Sequence, residues 1–216
     1  MSEAAALPIP DPQNGEAAPL PVRKRPKPGE RRVQILQALA DMLQQPGAER
    51  VTTAALASRL EVSEAALYRH FASKAQMFEG LIEFIEQSVF SLVNQIAERE
   101  VHGFAHAAQL VTMLLQFAEK NPGMTRVMVG DALVFEHDRL QQRMNLFFDK
   151  VEAALRQSLR DAAGGADAPA PADVQVLASL LTSFIVGRLH RYARSGFRRL
   201  PSEHLDASLA AMFPNG

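Results

Sequence analysis

The sequence predicts an all-α protein: an amino-terminal helix-turn-helix domain of three helices, followed by a helical regulatory and dimerisation domain. Three observations carry that expectation. From about residue 33 almost to the carboxyl end, Leu, Ala, Val, Ile, Met and Phe recur at the i, i+3, i+4 spacing of an amphipathic helix. Several of these apolar runs begin just after a Ser or Thr, the side chains that accept from the free N–H groups of a first helical turn. No segment shows the period-two alternation of a half-buried strand, and no repeat of fixed period stands out.

Residues 1–28 are rich in Pro and Ala with little periodicity, which predicts a disordered arm. Its end is basic: Arg23, Lys24, Arg25 and Lys27 lead into Arg31 and Arg32, with Glu30 the single acid among them. From Glu30 the pattern changes abruptly, and Val33, Ile35, Leu36, Leu39, Ala40 and Leu43 define a first helix ended by Pro46-Gly47. Thr52 and Thr53 can each cap a second helix carrying Leu56, Ala57 and Leu60. After a break at Glu61-Val62, Ser63 caps a third helix through Phe71. Ser73 opens a fourth, with Gln76 completing a capping box. Its apolar stripe, from Phe78 through Leu81, Ile85, Val89 and Leu92 to Ile96, is long enough to join two units.

A fifth helix covers residues 104–119 and stops at the turn tripeptide Asn121-Pro122-Gly123. A short helix over 124–129 precedes a long one over 131–160, and the small residues from Ala163 to Pro171 predict a flexible connection. Asp173 opens an apolar helix containing Val176, Leu177, Leu180, Leu181, Phe184, Ile185 and Leu189, and Ser202 caps the last, with Leu205, Leu209 and Met212. The expected organisation is an arm over 1–28, a helix-turn-helix domain over 29–89, and a dimerisation and partner-binding domain over 90–216. A homodimer built mainly from the two long carboxyl-terminal helices is expected, and charge introduced at Leu181 or Ile185 is expected to yield monomers or insoluble protein.

A formal net charge of −1 suits a DNA binder poorly until the charge is located. The basic cluster ahead of the first helix favours anions at one end of the chain. With no Cys there is neither a disulfide framework nor a thiolate nucleophile, which suits a reducing cytoplasm. No apolar stretch reaches the roughly 18 residues of a membrane span. No nucleophile–base or phosphate-loop signature is present, so neither an enzyme nor a cofactor is expected. His102 and His106 are four apart with Glu98 one turn earlier, but Gly103 interrupts the helix a metal site would need. Glu136-His137-Asp138 has a catalytic composition, yet consecutive helical residues point in different directions.

The third helix is the expected reader, because the amino end of such a helix enters the major groove. Ala66, Leu67 and Phe71 form its core face, while Ser63, Glu64, Ala65, Tyr68 and Arg69 lie outward. Glu64 can accept from a cytosine amino group, Ser63 can bond a base edge, and Ala65 can touch a thymine methyl. Tyr68 and His70 suit phosphate oxygens, as do Arg31, Arg32, Thr52, Thr53 and Lys74 around the reader.

The stretch from Val51-Thr52-Thr53 through Val62-Ser63-Glu64-Ala65-Ala66-Leu67-Tyr68-Arg69-His70-Phe71, then Ser73-Lys74 and Met77-Phe78, resembles the DNA-binding domain of the TetR family. Glu61 stands where that family usually has Gly in the turn, so a left-handed backbone there would be mildly strained. Beyond the generic domain, Leu81-Ile82-Glu83-Phe84-Ile85-Glu86, Glu119-Lys120-Asn121-Pro122-Gly123-Met124 and Ala132-Leu133-Val134-Phe135-Glu136 resemble a branch that acts in nucleoid occlusion. This resemblance implies a nucleoid-associated dimer on palindromic chromosomal sites that inhibits assembly of the tubulin-like division protein FtsZ. It also implies Phe84, Lys120 and Asn121 as FtsZ contacts, with core packing the competing role for Phe84. The alternative is a ligand-relieved repressor whose cavity is lined by Met113, Phe117, Met124, Met128, Phe135, Met144, Phe147 and Phe148, for which core packing is the simpler role.

Overall fold

In a computed structural model, the described residues are 29–45, 51–98, 103–161 and 171–213. They form nine α-helices: α1 (Glu30–Leu43), α2 (Thr53–Arg59), α3 (Glu64–Tyr68), α4 (Lys74–Ala97), α5 (Gly103–Lys120), α6 (Pro122–Met128), α7 (Asp138–Asp161), α8 (Pro171–Arg194) and α9 (Leu205–Met212). One 3-10 turn, Asp131–Leu133, lies between α6 and α7, and the described residues contain no strand. The expected arm over 1–28, the Pro46-Gly47 stop, His102 and, except for Pro171, the connection expected from Ala163 to Pro171 lie outside the described residues.

The helices form because local chemistry and burial agree. Thr52, Ser63 and Ser73 each accept from the backbone N–H three residues on, at 3.2 Å, and so cap α2, α3 and α4. Gln76 reaches back to the N–H of Ala72, one residue ahead of the usual capping-box partner. Helix α4 then runs through both halves of the molecule, burying Met77, Phe78, Leu81, Ile82, Ile85 and Val89 along one face. Leu140, Met144, Phe147, Val151, Leu155 and Leu159 recur every three or four residues on α7 and pack it against α8, α5 and α4. Each such side chain contributes about 1.5–3 kcal/mol when fully buried, so this stripe holds the second half together.

Two junctions between the halves fix their relation. Helix α6 presses on α1 so closely that a Cβ on Gly123 would lie 1.9 Å from the carbonyl oxygen of Ala40. Along the other side, α4 is tied to α7 and its leading loop by Lys74–Glu136, by Glu79–Arg139 at 2.7 Å and by Glu86–Arg143 at 2.7 Å. The hydrogen bond it donates to Glu86 pushes the Arg143 guanidinium pKa further up, keeping it charged in its half-buried place.

Several sequence expectations need correction. Helix α3 ends at Tyr68 rather than Phe71. Asn121-Pro122-Gly123 is a helix junction rather than a free turn: Pro122 takes the first position of α6, where its missing N–H costs nothing. The helix expected over 131–160 is broken, because Gly130 adopts a left-handed φ of 82° and residues 134–137 leave the helical path. His137 restarts it, its Nδ1 accepting from the N–H of Arg139 and its carbonyl from Leu140. Glu136, His137 and Asp138 therefore are not successive residues of one helix. Helix α8 begins at Pro171, two residues before Asp173. Ser202 does not cap α9, since its N–H and hydroxyl are both bound to the Glu119 carboxylate, and α9 starts after His204. Leu181 and Ile185, expected on a subunit interface, are fully buried within the protomer, while Val176 and Leu180 face outward.

Candidate nucleic-acid interface

Between α2 and α3 the chain turns through a Schellman motif, with Val62 N–H donating to the Ala57 carbonyl and Glu61 N–H to that of Ser58. Glu61 occupies its left-handed position at φ 53°, as the family's preference for Gly there leads one to expect. A residue with a Cβ costs about 1–2 kcal/mol in that region, so packing of α2 and α3 must hold the turn. Leu67 and Phe71 supply that packing, both 1% exposed beside Leu56 and Ala57. The opposite side presents Ser63, Glu64, Ala65, Tyr68 and Arg69 to solvent, with Ala66 half-buried.

Thr53 links the two helices at this surface, donating its hydroxyl to Glu64 Oε2 at 2.6 Å. The carboxylate nearest the amino end of α3 is thus held by α2 before any partner arrives. Thr52 stays exposed beside it. Arg32 donates to the carbonyl of His70 and lies 4.0 Å from the centre of the Phe71 ring, so it fastens α1 to the end of the reader. Arg31 is half-buried on the same turn of α1, and His70 is half-buried below Arg69. Lys74 stands at the first position of α4, but its ammonium is paired with Glu136 from the loop before α7. The roles of Thr53, Arg32 and Glu136 as positioning groups were invisible in sequence, because each depends on a partner 11, 38 or 62 residues away.

A second feature lies between α4 and α5. A groove of about 480 Å³ is lined by Leu92 and Gln95 of α4, by Met113, Gln116 and Lys120 of α5, and by Asn121. The structure thus brings Lys120 and Asn121 together, with the Asn121 side chain donating to the Phe117 carbonyl at 2.7 Å. Phe84 is 43% exposed rather than packed in the core. It precedes Leu92 by eight residues and Gln95 by eleven, so it continues the same face of α4 beyond the groove's edge. Met124, Met128, Met144 and Phe147 are core residues, and Phe135 is exposed. The enclosed apolar space at Met113 measures about 10 Å³, below the roughly 300–1,000 Å³ of ligand pockets, whereas the open groove that Met113 and Phe117 also border falls within that range.

The described residues, with a capped helix-turn-helix and a helical second half, have the architecture of a DNA-binding regulator. Residues 35–81 match the family model of bacterial regulatory proteins of the tetR family, and residues 102–214 match that of the tetracyclin repressor-like carboxyl-terminal domain. Over 182 residues the chain is 49% identical to nucleoid occlusion factor SlmA of Idiomarina loihiensis, covering 84% of this chain and 93% of that one. Identity to SlmA of Vibrio cholerae is 49% over 177 residues, 82% and 90% of the two chains. The chain belongs to the SlmA family of nucleoid occlusion factors within the TetR regulators. Among solved structures, the fold is shared with the transcriptional regulator FadR of Bacillus subtilis, at TM-score 0.68 and 12% identity over 83% of this chain and 96% of that one. A regulator from Aquifex aeolicus gives TM-score 0.60 at 21% identity, over 84% and 99%.

Proposed function

We propose that this protein is a nucleoid occlusion factor of the cytoplasm: a homodimer bound to palindromic chromosomal sites that inhibits FtsZ assembly and so keeps the division septum off the nucleoid. The observation that carries the reading is the 49% identity to SlmA, which extends through both halves of the chain. Residues 29–89 act as the DNA-reading domain and 90–216 as the dimerisation and partner-binding domain. Ser63, Glu64 and Ala65 meet base edges, Glu64 from the position Thr53 gives it. Thr52, Tyr68, Arg69, His70, Arg31 and Lys74 meet phosphates around them, and Arg32 supports the reader from behind.

Dimerisation uses the outward stripes of α7 and α8. Leu146, Val176 and Leu180 are each more than half exposed, and Gly187 has no atom within 4 Å of a Cβ position, leaving room for a second copy. FtsZ is received along α4 and α5, where Phe84 offers an exposed ring and Lys120 and Asn121 border the groove. No helix of the described residues is long and apolar enough to cross a membrane.

The test is FtsZ polymer mass after sedimentation, with the protein on a duplex it selects from a randomised pool. Polymer mass should fall relative to a scrambled duplex. Phe84→Ala combined with Asn121→Ser should restore it while leaving duplex binding within about twofold, since neither position belongs to the reader. No loss of polymer with the selected duplex would end the division-control reading and leave the DNA-reading one intact.

A further inference from the structure

The last turns of α8 and the loop to α9 together carry an arginine cluster with no part in the reader or the α4–α5 groove. Arg188, Arg191, Arg198 and Arg199 surround a surface cavity of about 660 Å³, with Ser202 and one carboxylate, Glu203, on its rim. Four guanidinium groups against one acid form a local concentration of positive charge in a chain whose formal net charge is −1. Arg191 and Arg199 are exposed, and their guanidinium groups have no hydrogen-bond or ion-pair partner among the described residues.

The loop is built to hold its shape. The Ser195 hydroxyl accepts from the N–H groups of Arg198 and Arg199 at 3.0 and 2.9 Å, and donates to the Tyr192 carbonyl at 2.8 Å. Tyr192 in turn donates to the Glu119 carbonyl, and the Glu119 carboxylate holds Ser202. The two ends of the loop are therefore anchored to one residue at the end of α5. Like charges kept close on such a fixed frame repel one another until an anion joins them. Planar guanidinium forks match phosphate oxygens two at a time, which is why arginine rather than lysine collects at phosphate sites.

A polymer of phosphates is already the partner of the reading helix. The arginine cluster stands apart from the reading helix, because α8 packs on α5, α6 and α7 and makes no comparable contact with α2 or α3. We infer that the arginine loop binds the phosphate backbone of a second DNA duplex, so that a dimer seated on its site can join two DNA segments. This rests on the DNA-reading function proposed above.

The experiment uses the full chain on a bead-bound duplex selected from a randomised pool, challenged with a labelled duplex of unrelated sequence. Wild type should capture the second duplex at 50 mM salt and release most of it at 200 mM, as roughly three or more phosphate contacts would require. Arg198→Glu with Arg199→Glu should lower capture about tenfold or more while affinity for the selected duplex stays within about twofold. Arg191→Gln with Arg199→Gln removes two unpartnered charges without reversing them, and should lower capture in the same direction. Undiminished capture by both variants, or no capture by wild type, would overturn the inference while the selected duplex remains bound. Capture of phosphatidylglycerol vesicles through the same arginines, with no second duplex held, would assign the patch to lipid and overturn it too. Failure of wild type to select any duplex would remove both this inference and the reading on which it rests.

Discussion

Replacing Gly123 by Ala tests how tightly the two halves are joined. The new Cβ would sit 1.9 Å from the Ala40 carbonyl oxygen, 2.8 Å from its carbon and 3.2 Å from the Gln44 nitrogen. A carbon meets a carbonyl oxygen at about 3.3 Å, so the helices must separate by more than about 1 Å. All three atoms contacted are backbone, and the Ala40 carbonyl already accepts from Gln44 at 3.2 Å, so none can move aside without loosening the last turn of α1. Overpacking usually costs about 1–3 kcal/mol, and backbone atoms on the far side place this case at the upper end. Ala recovers under about 1 kcal/mol of helix propensity. A net loss near 2 kcal/mol corresponds to a fall of about 4–8 °C in Tm for a chain of this size. Thermal unfolding followed by circular dichroism, with duplex affinity by fluorescence anisotropy, reads both stability and reader placement. A Tm within about 1 °C of wild type, with unchanged affinity, would refute the claim that α6 abuts α1 at this point. Gly187→Ala is the internal comparison, since no atom lies within 4 Å of its Cβ position.

Two further substitutions probe the ion pair at α4 and the subunit face. Glu136→Gln removes the partner of Lys74; duplex affinity at low salt should rise a fewfold and the salt slope steepen by up to about 0.9, and an unchanged slope would remove Lys74 from the phosphate contacts. Leu180→Glu should give a folded monomer by sedimentation velocity, whereas Leu181→Glu should fail to fold, because the first is 54% exposed and the second fully buried. A stable Leu180→Glu dimer at micromolar concentration would place the interface elsewhere.

Features set by neighbours in the chain were legible in the sequence. The caps at Thr52, Ser63 and Ser73 depend on an N–H three residues away, and each was found as expected. The left-handed Glu61 was signalled only by the resemblance, since the TetR family usually has Gly at that turn. Features set across the fold were not. Helix α8 is apolar nearly all round, with Val176, Leu177, Leu180 and Leu181 in succession, so periodicity alone could not separate the protomer's core from its outer face. The break at 134–137 was masked by apolar residues that continue the helical pattern, and Val134 and Phe135 prove to be exposed. Ser202 has the right character for a cap, but Glu119, 83 residues away, claims it first. At the reader the outward set could be read from one helical face, whereas the engagement of Arg32 and Lys74 by other protein groups needed coordinates.

The three ion pairs along α4 have a mechanical consequence. Lys74, Glu79 and Glu86 lie within thirteen residues, about 18 Å of helix. Such pairs lie at the surface or are partly buried, and fully exposed ones add only about 0–1 kcal/mol each. Their value lies in where they pull: attachments to Glu136, Arg139 and Arg143 resist rotation of α4 about its own axis, as several pegs resist where one would swivel. Torque applied to α7 is therefore delivered to the base of the reading unit with little slack. In a dimer joined through α7 and α8, the angle between the two readers is then set by the seam between subunits rather than by the short turns around α3.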